Sequence, residues 1–265
     1  MELWKKSELI KILKENNLWA KKRFGQNFLI NKGILDKIVK TSQVNKNDLV
    51  VEIGPGLGVL THELCKIAKK VISVEIDYNM IDILKGNLAE FPNLEIENNN
   101  ALNYVPPSTN YKVVANIPYN ITSPLISHFL QSQNPPESLT LLIQKEVAEK
   151  ICDKTINSIL NLQVRLFADS KKIKIVKPHS FYPAPKVEST IIKIIPYKKE
   201  NPLYSSLDFA QKVLKIAKIA FTQKRKTLHN SLKKHYSIDN SKFKQKRPHE
   251  LSIEDWKSFV LSLNA

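Results

Sequence analysis

The sequence predicts an α/β protein in which a sheet has helices on both faces and a small helical domain follows. Strand-length apolar segments alternate with helix-length segments through the middle of the 265-residue chain, which is typical of a parallel sheet. Beyond residue 201 the apolar residues recur at helical spacing instead. A proline-containing stretch, PYKKENP (196–202), separates the two patterns. We therefore expect one domain over residues 1–200, with an N-terminal helical arm over residues 1–40, and a helical domain over residues 201–265.

Each predicted strand is a short apolar run, and each predicted helix is a longer segment with helical periodicity. The first strand, LVVEI (49–53), ends at a cluster of glycines, as expected of a buried parallel strand. The other predicted strands are VISVEI (71–76), LEIEN (94–98), YKVVAN (111–116), LTLLIQ (139–144), KIKIV (172–176) and STIIKII (189–195). The predicted helices cover about 57–68, 78–89, 124–131 and 145–152, and then LDFAQKVLKIAKIAF, TLHNSLKKHY and SIEDWKSFVLSL.

The composition suits a soluble globular protein, since 42% of the residues are hydrophobic and 8% are aromatic. No run approaches the roughly 18 apolar residues of a membrane span, and the charged N-terminal segment differs from a signal peptide. The two cysteines, Cys65 and Cys152, have neither metal-ligand spacing nor the pattern of a disulfide framework. We therefore expect a cytoplasmic protein with reduced thiols, no membrane segment and no metal.

The net charge of +16 is concentrated near both ends of the chain. Residues 1–40 carry a net charge of +6 and residues 196–250 carry +10, whereas residues 41–195 carry only +1. One interpretation is a general lysine bias, with 37 Lys to four Arg, that coats a solvated surface. A uniform bias would not leave the middle of the chain neutral, so the charge distribution favours a polyanionic partner bound by the two flanks.

A glycine cluster follows the first predicted strand, in the sequence EIGPGLG. Gly54, Gly56 and Gly58 allow the backbone to turn sharply and to approach a ligand closely. A tight turn alone would explain them, and their spacing is GxGxG rather than the GxGxxG of dinucleotide sites. Glu75 ends the next predicted strand, 21 residues after Gly54, where a carboxylate can accept hydrogen bonds from both ribose hydroxyls of a nucleoside. A solvated residue beside a helix start is the alternative for Glu75, but the turn and the acid together favour an adenosine-containing cofactor.

The strand YKVVAN runs directly into the tetrapeptide NIPY, residues 116–119. Pro118 restricts Ile117 to an extended conformation. The Ile117 carbonyl is thereby held beside the Asn116 amide, with the Tyr119 ring two residues further on. The end of this strand therefore presents two hydrogen-bond acceptors and one aromatic ring.

These motifs together resemble a known family. EIGPGLGVLT, VEID and NIPY are similar to S-adenosylmethionine-dependent methyltransferases that act on exocyclic amines. Five blocks in order resemble the ribosomal RNA adenine dimethyltransferase family: KKRFGQNFL (21–29), NIPYNITSPL (116–125), LLIQKEVAEKI (141–151), SFYPAPKVEST (180–190) and FTQKRKTLHNSL (221–232). The resemblance implies a Rossmann-like class I methyltransferase sheet with a small C-terminal helical domain.

The resemblance also implies how the NIPY segment acts. The Asn116 side-chain oxygen and the Ile117 carbonyl would each accept one N–H of the target amine and stabilise positive charge as it attacks a methyl group. Pro118 would fix this geometry, Tyr119 would stack on the base, and Phe181 would lie on the opposite face of the base. The alternative for the two rings is ordinary core packing. No histidine or carboxylate base is required, because the sulfonium of the methyl donor is already an activated leaving group.

The implied cofactor is S-adenosyl-L-methionine. Its expected contacts are Asn27, Leu29, Gly54, Gly56, Glu75, Ile76, Asn100, Ala101 and Asn116. Asn100, in NNNAL, stands where the family usually has an aspartate that contacts the adenine amine of the cofactor. An amide oxygen still accepts that hydrogen bond but lacks the charge that strengthens it, so we expect a lower cofactor affinity. The three successive asparagines also allow this alignment to shift by one residue. KTINSILNLQ (154–163) differs too, because it lacks the family's aromatic–glycine pair.

The function implied is the transfer of methyl groups to the N6 amines of two adjacent adenosines in a hairpin near the 3′ end of small-subunit rRNA. The expected partner is that rRNA within a pre-ribosomal small subunit, and the enzyme is expected to be a monomer. FTQKRKTLHNSL favours this branch over a large-subunit rRNA methylase that confers antibiotic resistance. A non-catalytic ribosome-assembly or transcription factor on the same fold is the other alternative.

Overall fold

The structure is a computed structural model, which describes residues 2–19, 25–154, 157–201, 205–238 and 242–263. The chain forms two compact units, which are described separately below. The first unit consists of Met1–Ala148 and Lys171–Pro196, and the second consists of Glu149–Ser170 and Tyr197–Ala265. Within the described ranges, no helix is long and apolar enough to cross a membrane.

The elements follow the predicted alternation of strands and helices. In chain order the strands are β1 (Phe28–Leu29), β2 (Leu49–Ile53), β3 (Lys70–Glu75), β4 (Leu94–Asn98), β5 (Lys112–Asn116), β6 (Ser138–Gln144), β7 (Ala168–Val176), β8 (Phe181–Tyr182) and β9 (Ser189–Pro196). The α-helices are α1 (Lys6–Glu15), α2 (Lys32–Ser42), α3 (Val59–Cys65), α4 (Tyr78–Asn87), α5 (Thr122–Leu130), α6 (Lys145–Cys152), α7 (Ile159–Arg165), α8 (Leu207–Thr222), α9 (Leu228–Leu232) and α10 (Ile253–Ser262).

Seven of the strands form one sheet in the order β4-β3-β2-β5-β6-β9-β7. Strands β2 to β6 pair in parallel, whereas β9 is antiparallel to β6. The chain adds β3 and β4 on one side of β2 and then returns to add β5 and β6 on the other side. The order therefore reverses between β2 and β5, and the carboxyl ends of strands at such a switch point form a crevice. This topology confirms the predicted α/β class.

The central strands are held by burial of their apolar side chains. Val50 and Val51 of β2 and Val113 and Val114 of β5 are all 0% exposed. Burying a Val or Leu side chain contributes roughly 1.5–3 kcal/mol, so this burial stabilises the centre of the sheet. The sequence showed them as largely apolar runs because both faces are covered.

The N-terminal segment packs into the core of the first unit. The apolar face of α1 is buried through Leu9, Ile12 and Leu13, in the same cluster of side chains as Phe28 and Phe181. A small second sheet lies here, in which β1 pairs antiparallel with β8. Two-residue strands have no detectable periodicity, so the sequence did not predict this sheet.

The second unit has its own core, formed by the helices α7 to α10. Leu214 and Ala217 of α8 and Trp256 and Phe259 of α10 are at most 2% exposed. Leu162 of α7 belongs to the same cluster, which places residues 149–170 in this unit. The predicted division at residue 200 had left them in the larger domain, since they lie before the proline-containing stretch.

Candidate active site

A cavity of about 210 Å³ lies at the carboxyl ends of the central strands of the first unit. Its walls come from five segments that are distant in sequence: residues 25–29, 52–60, 74–76, 99–102 and 116–121. Three of these segments contain the carboxyl ends of β2, β3 and β5. The cavity is therefore at the switch point of the sheet, where α/β proteins bind ligands.

The glycine turn after β2 forms one wall of this cavity and requires glycine. Gly56 has a φ of +58°, and a Cβ at this position would lie 3.1 Å from the Phe28 ring. Gly58 has a φ of +89°, and its Cβ would lie 2.8 Å from the Leu84 side chain. L-residues are strained at such φ values, so both positions favour glycine on backbone and packing grounds. Gly54, which is also at positive φ, lines the cavity beside them.

Glu75 lies at the end of β3 with its carboxylate fixed by backbone donors. The Gly56 N–H donates to Oε2 over 3.2 Å, and the Asp77 N–H donates to Oε1 over 2.8 Å. Burial raises the pKa of Glu75 and the Asp77 charge adds to this rise, while hydrogen bonds from the backbone N–H groups of Asp77, Gly56 and Ile76 oppose it. A carboxylate has about four acceptor positions, so Glu75 keeps capacity to accept a further hydrogen bond.

The asparagines after β4 have different roles. Asn98 ends β4, and its Nδ2 donates to the Glu75 carbonyl oxygen over 2.9 Å. Asn99 and Asn100 both line the cavity, as do Ala101 and the half-exposed Ile76. The Asn100 side-chain oxygen accepts the Leu102 N–H over 3.0 Å, which fixes the turn.

The NIPY segment extends the end of β5 into the cavity wall. Pro118 has φ −55° and ψ 129°, and residues 119–121 form a short 3₁₀ turn. The Ile117 N–H donates to the Leu142 carbonyl over 3.2 Å, which continues the β5–β6 pairing by one residue. The Asn116 Nδ2 donates to the Asn27 carbonyl over 3.1 Å. Because the donor side of the amide is used in this way, the side-chain oxygen is the atom that remains to accept a hydrogen bond.

The two predicted aromatic residues lie in different environments. Tyr119 is half-buried and lines the cavity, and its hydroxyl lies 2.7 Å from Ser189 Oγ. Phe181 is only 3% exposed, because β8 pairs with β1 through Phe181 and Leu29 and packs in the hydrophobic core. Phe181 is not among the described residues that line the cavity, and its place on the opposite face of the target base from Tyr119 stays a prediction. Leu29 does reach the cavity.

Glu52 is a cavity residue that the sequence analysis missed. It lies in the middle of the apolar strand β2, is 1% exposed and accepts a hydrogen bond from Ser73 Oγ over 2.9 Å. Burial raises its pKa to about 7, and the nearby Glu75 charge acts in the same direction. A single acidic residue within an otherwise apolar run was the signal that could have identified it. Gln26, whose amide donates to Asp77 Oδ2 over 3.3 Å, also lines the cavity and was not predicted.

A methyltransferase is the class of protein that this sheet and site define. The switch-point cavity, the glycine turn after β2 and the carboxylate that ends β3 occur together in α/β methyltransferases. Residues 17–262 match the family described as ribosomal RNA adenine dimethylase. The chain belongs to this family, and it is an enzyme.

Relatives and solved structures agree with this assignment. Ribosomal RNA small subunit methyltransferase A of Dehalococcoides mccartyi is 37% identical over 261 residues, which cover 92% of this chain and 88% of that protein. A dimethyladenosine transferase of Plasmodium falciparum superposes with a TM-score of 0.75 and 32% identity, covering 89% of this chain and 97% of that one. The 23S rRNA methyltransferase ErmE superposes with a TM-score of 0.71 and 27% identity, covering 90% of this chain and 100% of that one.

The raised pKa of Glu52 predicts a pH-dependent stability. In the unfolded chain the pKa is near 4.5, so between pH 4.5 and 7 the folded protein binds more protons than the unfolded one. The free energy of unfolding should therefore fall as the pH rises through this window, by about 3 kcal/mol in total. We expect Glu52→Gln to lose this part of the pH dependence.

The measurement is denaturant unfolding of the unliganded protein from pH 4.5 to pH 8. Glu137→Gln, which removes an exposed carboxylate, is the matched control. An identical pH slope in the wild type and in Glu52→Gln would contradict the assignment of this titration to Glu52.

Proposed function

We propose that this enzyme transfers methyl groups from S-adenosyl-L-methionine to the N6 amines of two adjacent adenosines in a hairpin near the 3′ end of small-subunit rRNA. The observation that carries the proposal is the Asn116 amide at the end of β5. Its Nδ2 donates to the Asn27 carbonyl, which leaves the side-chain oxygen of this cavity residue to accept a hydrogen bond. The named relative that acts on the small subunit, at 37% identity, supports this choice of rRNA.

The cavity residues fit the proposed cofactor. When bound, S-adenosyl-L-methionine supplies an electrophilic methyl group on a positively charged sulfur. The Glu75 carboxylate, held by two backbone N–H groups, is suited to accept the ribose hydroxyls. The glycine turn at Gly54 and Gly56 leaves space that a Cβ would reduce, and Asn27, Leu29, Ile76, Asn100 and Ala101 complete the walls.

The NIPY segment is proposed to orient the target amine. The nitrogen of a nucleobase amine is a weak nucleophile because its lone pair is delocalised into the ring. The Asn116 side-chain oxygen and the Ile117 carbonyl would each accept one N–H and so turn the lone pair toward the methyl group. Positive charge that develops on the nitrogen is then stabilised by two fixed dipoles, which need no reorganisation. Tyr119 is proposed to hold the base by stacking on it.

The partner is proposed to be the rRNA of a pre-ribosomal small subunit, bound by a monomer in the cytoplasm. The strongly basic segment over residues 196–250 supports an RNA partner. Lys224, Arg225 and Lys226 are exposed in the turn between α8 and α9 of the second unit. These three side chains are therefore available to phosphates.

Substrate choice is tested by methyl transfer from labelled cofactor to unmethylated small and large ribosomal subunits, with mapping of the modified bases. We expect two dimethylated adenosines in the small subunit only. Transfer to the large subunit would instead support the methylase of antibiotic resistance, and RNA binding without transfer would support a non-catalytic factor.

Replacing Glu75 should weaken cofactor binding. Glu75→Ala removes both ribose hydrogen bonds and should raise the dissociation constant by one to two orders of magnitude, since bonds to a charged group are worth about 1.5–3 kcal/mol. Glu75→Gln keeps the side-chain volume and one acceptor oxygen. Its cofactor affinity should therefore lie between those of the wild type and Glu75→Ala. Calorimetric titration measures the affinities. A wild-type cofactor affinity in Glu75→Ala would reject the role of Glu75 in ribose binding. As a control, RNA binding should be unchanged in both variants.

Replacing Asn116 should slow the chemical step. Asn116→Ala deletes one preorganised acceptor and should lower the single-turnover rate by about 10²–10³-fold, with some loss of cofactor affinity. Asn116→Asp keeps an acceptor beside the developing positive charge and should lose less than Asn116→Ala. The rate is measured on unmethylated small subunits at saturating cofactor. If Asn116→Ala reacts at the wild-type rate, the NIPY segment is only a structural turn.

Neutralising the basic turn should reduce the salt dependence of RNA binding. The slope of log affinity against log salt is about −0.7 per contacted phosphate on single-stranded regions, so it should become shallower when Lys224, Arg225 and Lys226 are changed to Gln. The control is the same change at the exposed Lys66, Lys69 and Lys70, which lie in the neutral middle of the sequence. Equal slopes in the wild type and the first variant would mean that the turn does not contact RNA. Cofactor affinity should stay constant throughout.

A further inference from the structure

The Tyr119 ring is held at its outer end by a buried serine. The phenol oxygen lies 2.7 Å from Oγ of Ser189. Ser189 is 0% exposed and begins β9, where it pairs with Gln144 of β6. Its backbone is therefore fixed within the seven-stranded sheet, and the hydrogen bond connects the phenol to that sheet over 70 positions of sequence.

The inner end of the ring is held by the backbone. Pro118 directly precedes Tyr119, and its ring fixes its own φ at −55°. The Ile121 N–H donates to the Pro118 carbonyl over 3.2 Å. This 3₁₀ turn continues directly into α5. A tyrosine fixed only at its backbone still rotates about χ1, so the second attachment at the phenol is what fixes the direction in which the ring points.

The serine itself is held by ion pairs at the neighbouring residue. The Glu188 carboxylate lies 2.8 Å from Lys145 Nζ and 2.5 Å from Lys177 Nζ. The backbone N–H of Lys145 also donates to the Glu188 carbonyl over 3.0 Å. These contacts tie the start of β9 to the residue that follows β6, directly beside the pairing of Ser189 with Gln144.

From this geometry we propose that Ser189 is a positioning residue for methyl transfer, whose hydroxyl fixes the position of the Tyr119 ring on which the target adenine stacks. The inference rests on the stacking role proposed above for Tyr119. Ser189 is not among the described residues that line the cavity, so it acts through the Tyr119 phenol and not on the substrate or the cofactor.

The test compares Ser189→Ala, Tyr119→Phe and the double variant in single-turnover methyl transfer to unmethylated small subunits with labelled S-adenosyl-L-methionine. Each single variant should be about three- to tenfold slower at saturating substrates, which corresponds to the loss of one hydrogen bond. The double variant should be no slower than Tyr119→Phe, because both changes remove the same bond. Cofactor affinity should be unchanged, since neither change removes a cofactor contact.

Thr190 provides the matched control on the same strand. It follows Ser189, is 1% exposed, and its hydroxyl has no hydrogen-bond partner in the described part of the chain. Successive residues of a strand point to opposite faces, so Thr190 lies on the other face of the sheet. Thr190→Val removes a buried hydroxyl without touching Tyr119, and it should react at the wild-type rate.

A wild-type rate in Ser189→Ala, or losses that add in the double variant, would overturn the inference. Tyr119→Ala distinguishes this failure from failure of the stacking proposal. It should be at least about tenfold slower, because the stacking surface itself is lost. If Tyr119→Ala is slow while Ser189→Ala and Tyr119→Phe are normal, stacking stands and the role of Ser189 is rejected. If Tyr119→Ala is also normal, the stacking role is rejected as well.

Discussion

The hydrogen bond from the Asn116 amide to the Asn27 carbonyl joins two segments that are 89 positions apart, and the candidate site depends on it. It fixes the rotation of the amide, which decides whether an oxygen or an NH₂ group is presented to a ligand. It also holds residues 25–29 against the ends of the central strands, where they form one wall of the cavity. Close packing reinforces this contact, because a Cβ at Gly25 would lie 3.4 Å from Pro118 and one at Gly56 would lie 3.1 Å from Phe28.

The sequence predicted the parts of the structure that have a local physical cause. Strands β2 and β5 are buried on both faces, so their apolar runs were visible, and the conformation before Pro118 follows from steric contacts of neighbouring residues. The glycines after β2 could be recognised because their positive φ values restrict the residue type. The cavity segments that belong to these elements were predicted correctly as parts of strand ends and turns.

Features that depend on contacts between distant segments were not predictable in this way. Strands β1 and β8 have two residues each, and their pairing places Phe181 in the hydrophobic core. Ser189 lies 70 positions from Tyr119, and nothing around it in the sequence indicates a phenol as its partner. The same reasoning applies to α7, which precedes the proline-containing stretch and yet shares the core of the later helices through Leu162.

The charge of the cavity is opposite to that of the protein. The chain carries a net charge of +16, but the described residues that line the cavity include Glu52 and Glu75 and no Lys or Arg. The described lining of the cavity therefore offers no cation to a phosphate, whereas it favours a positively charged group such as the sulfur of the proposed cofactor. Burial limits this preference, because it raises the pKa of Glu52 to about 7. Protonation of Glu52 relieves the repulsion between its carboxylate and that of Glu75. The two proposed binding tasks therefore call for opposite charge: basic residues for a polyanion, and an acidic cavity for an uncharged or cationic ligand.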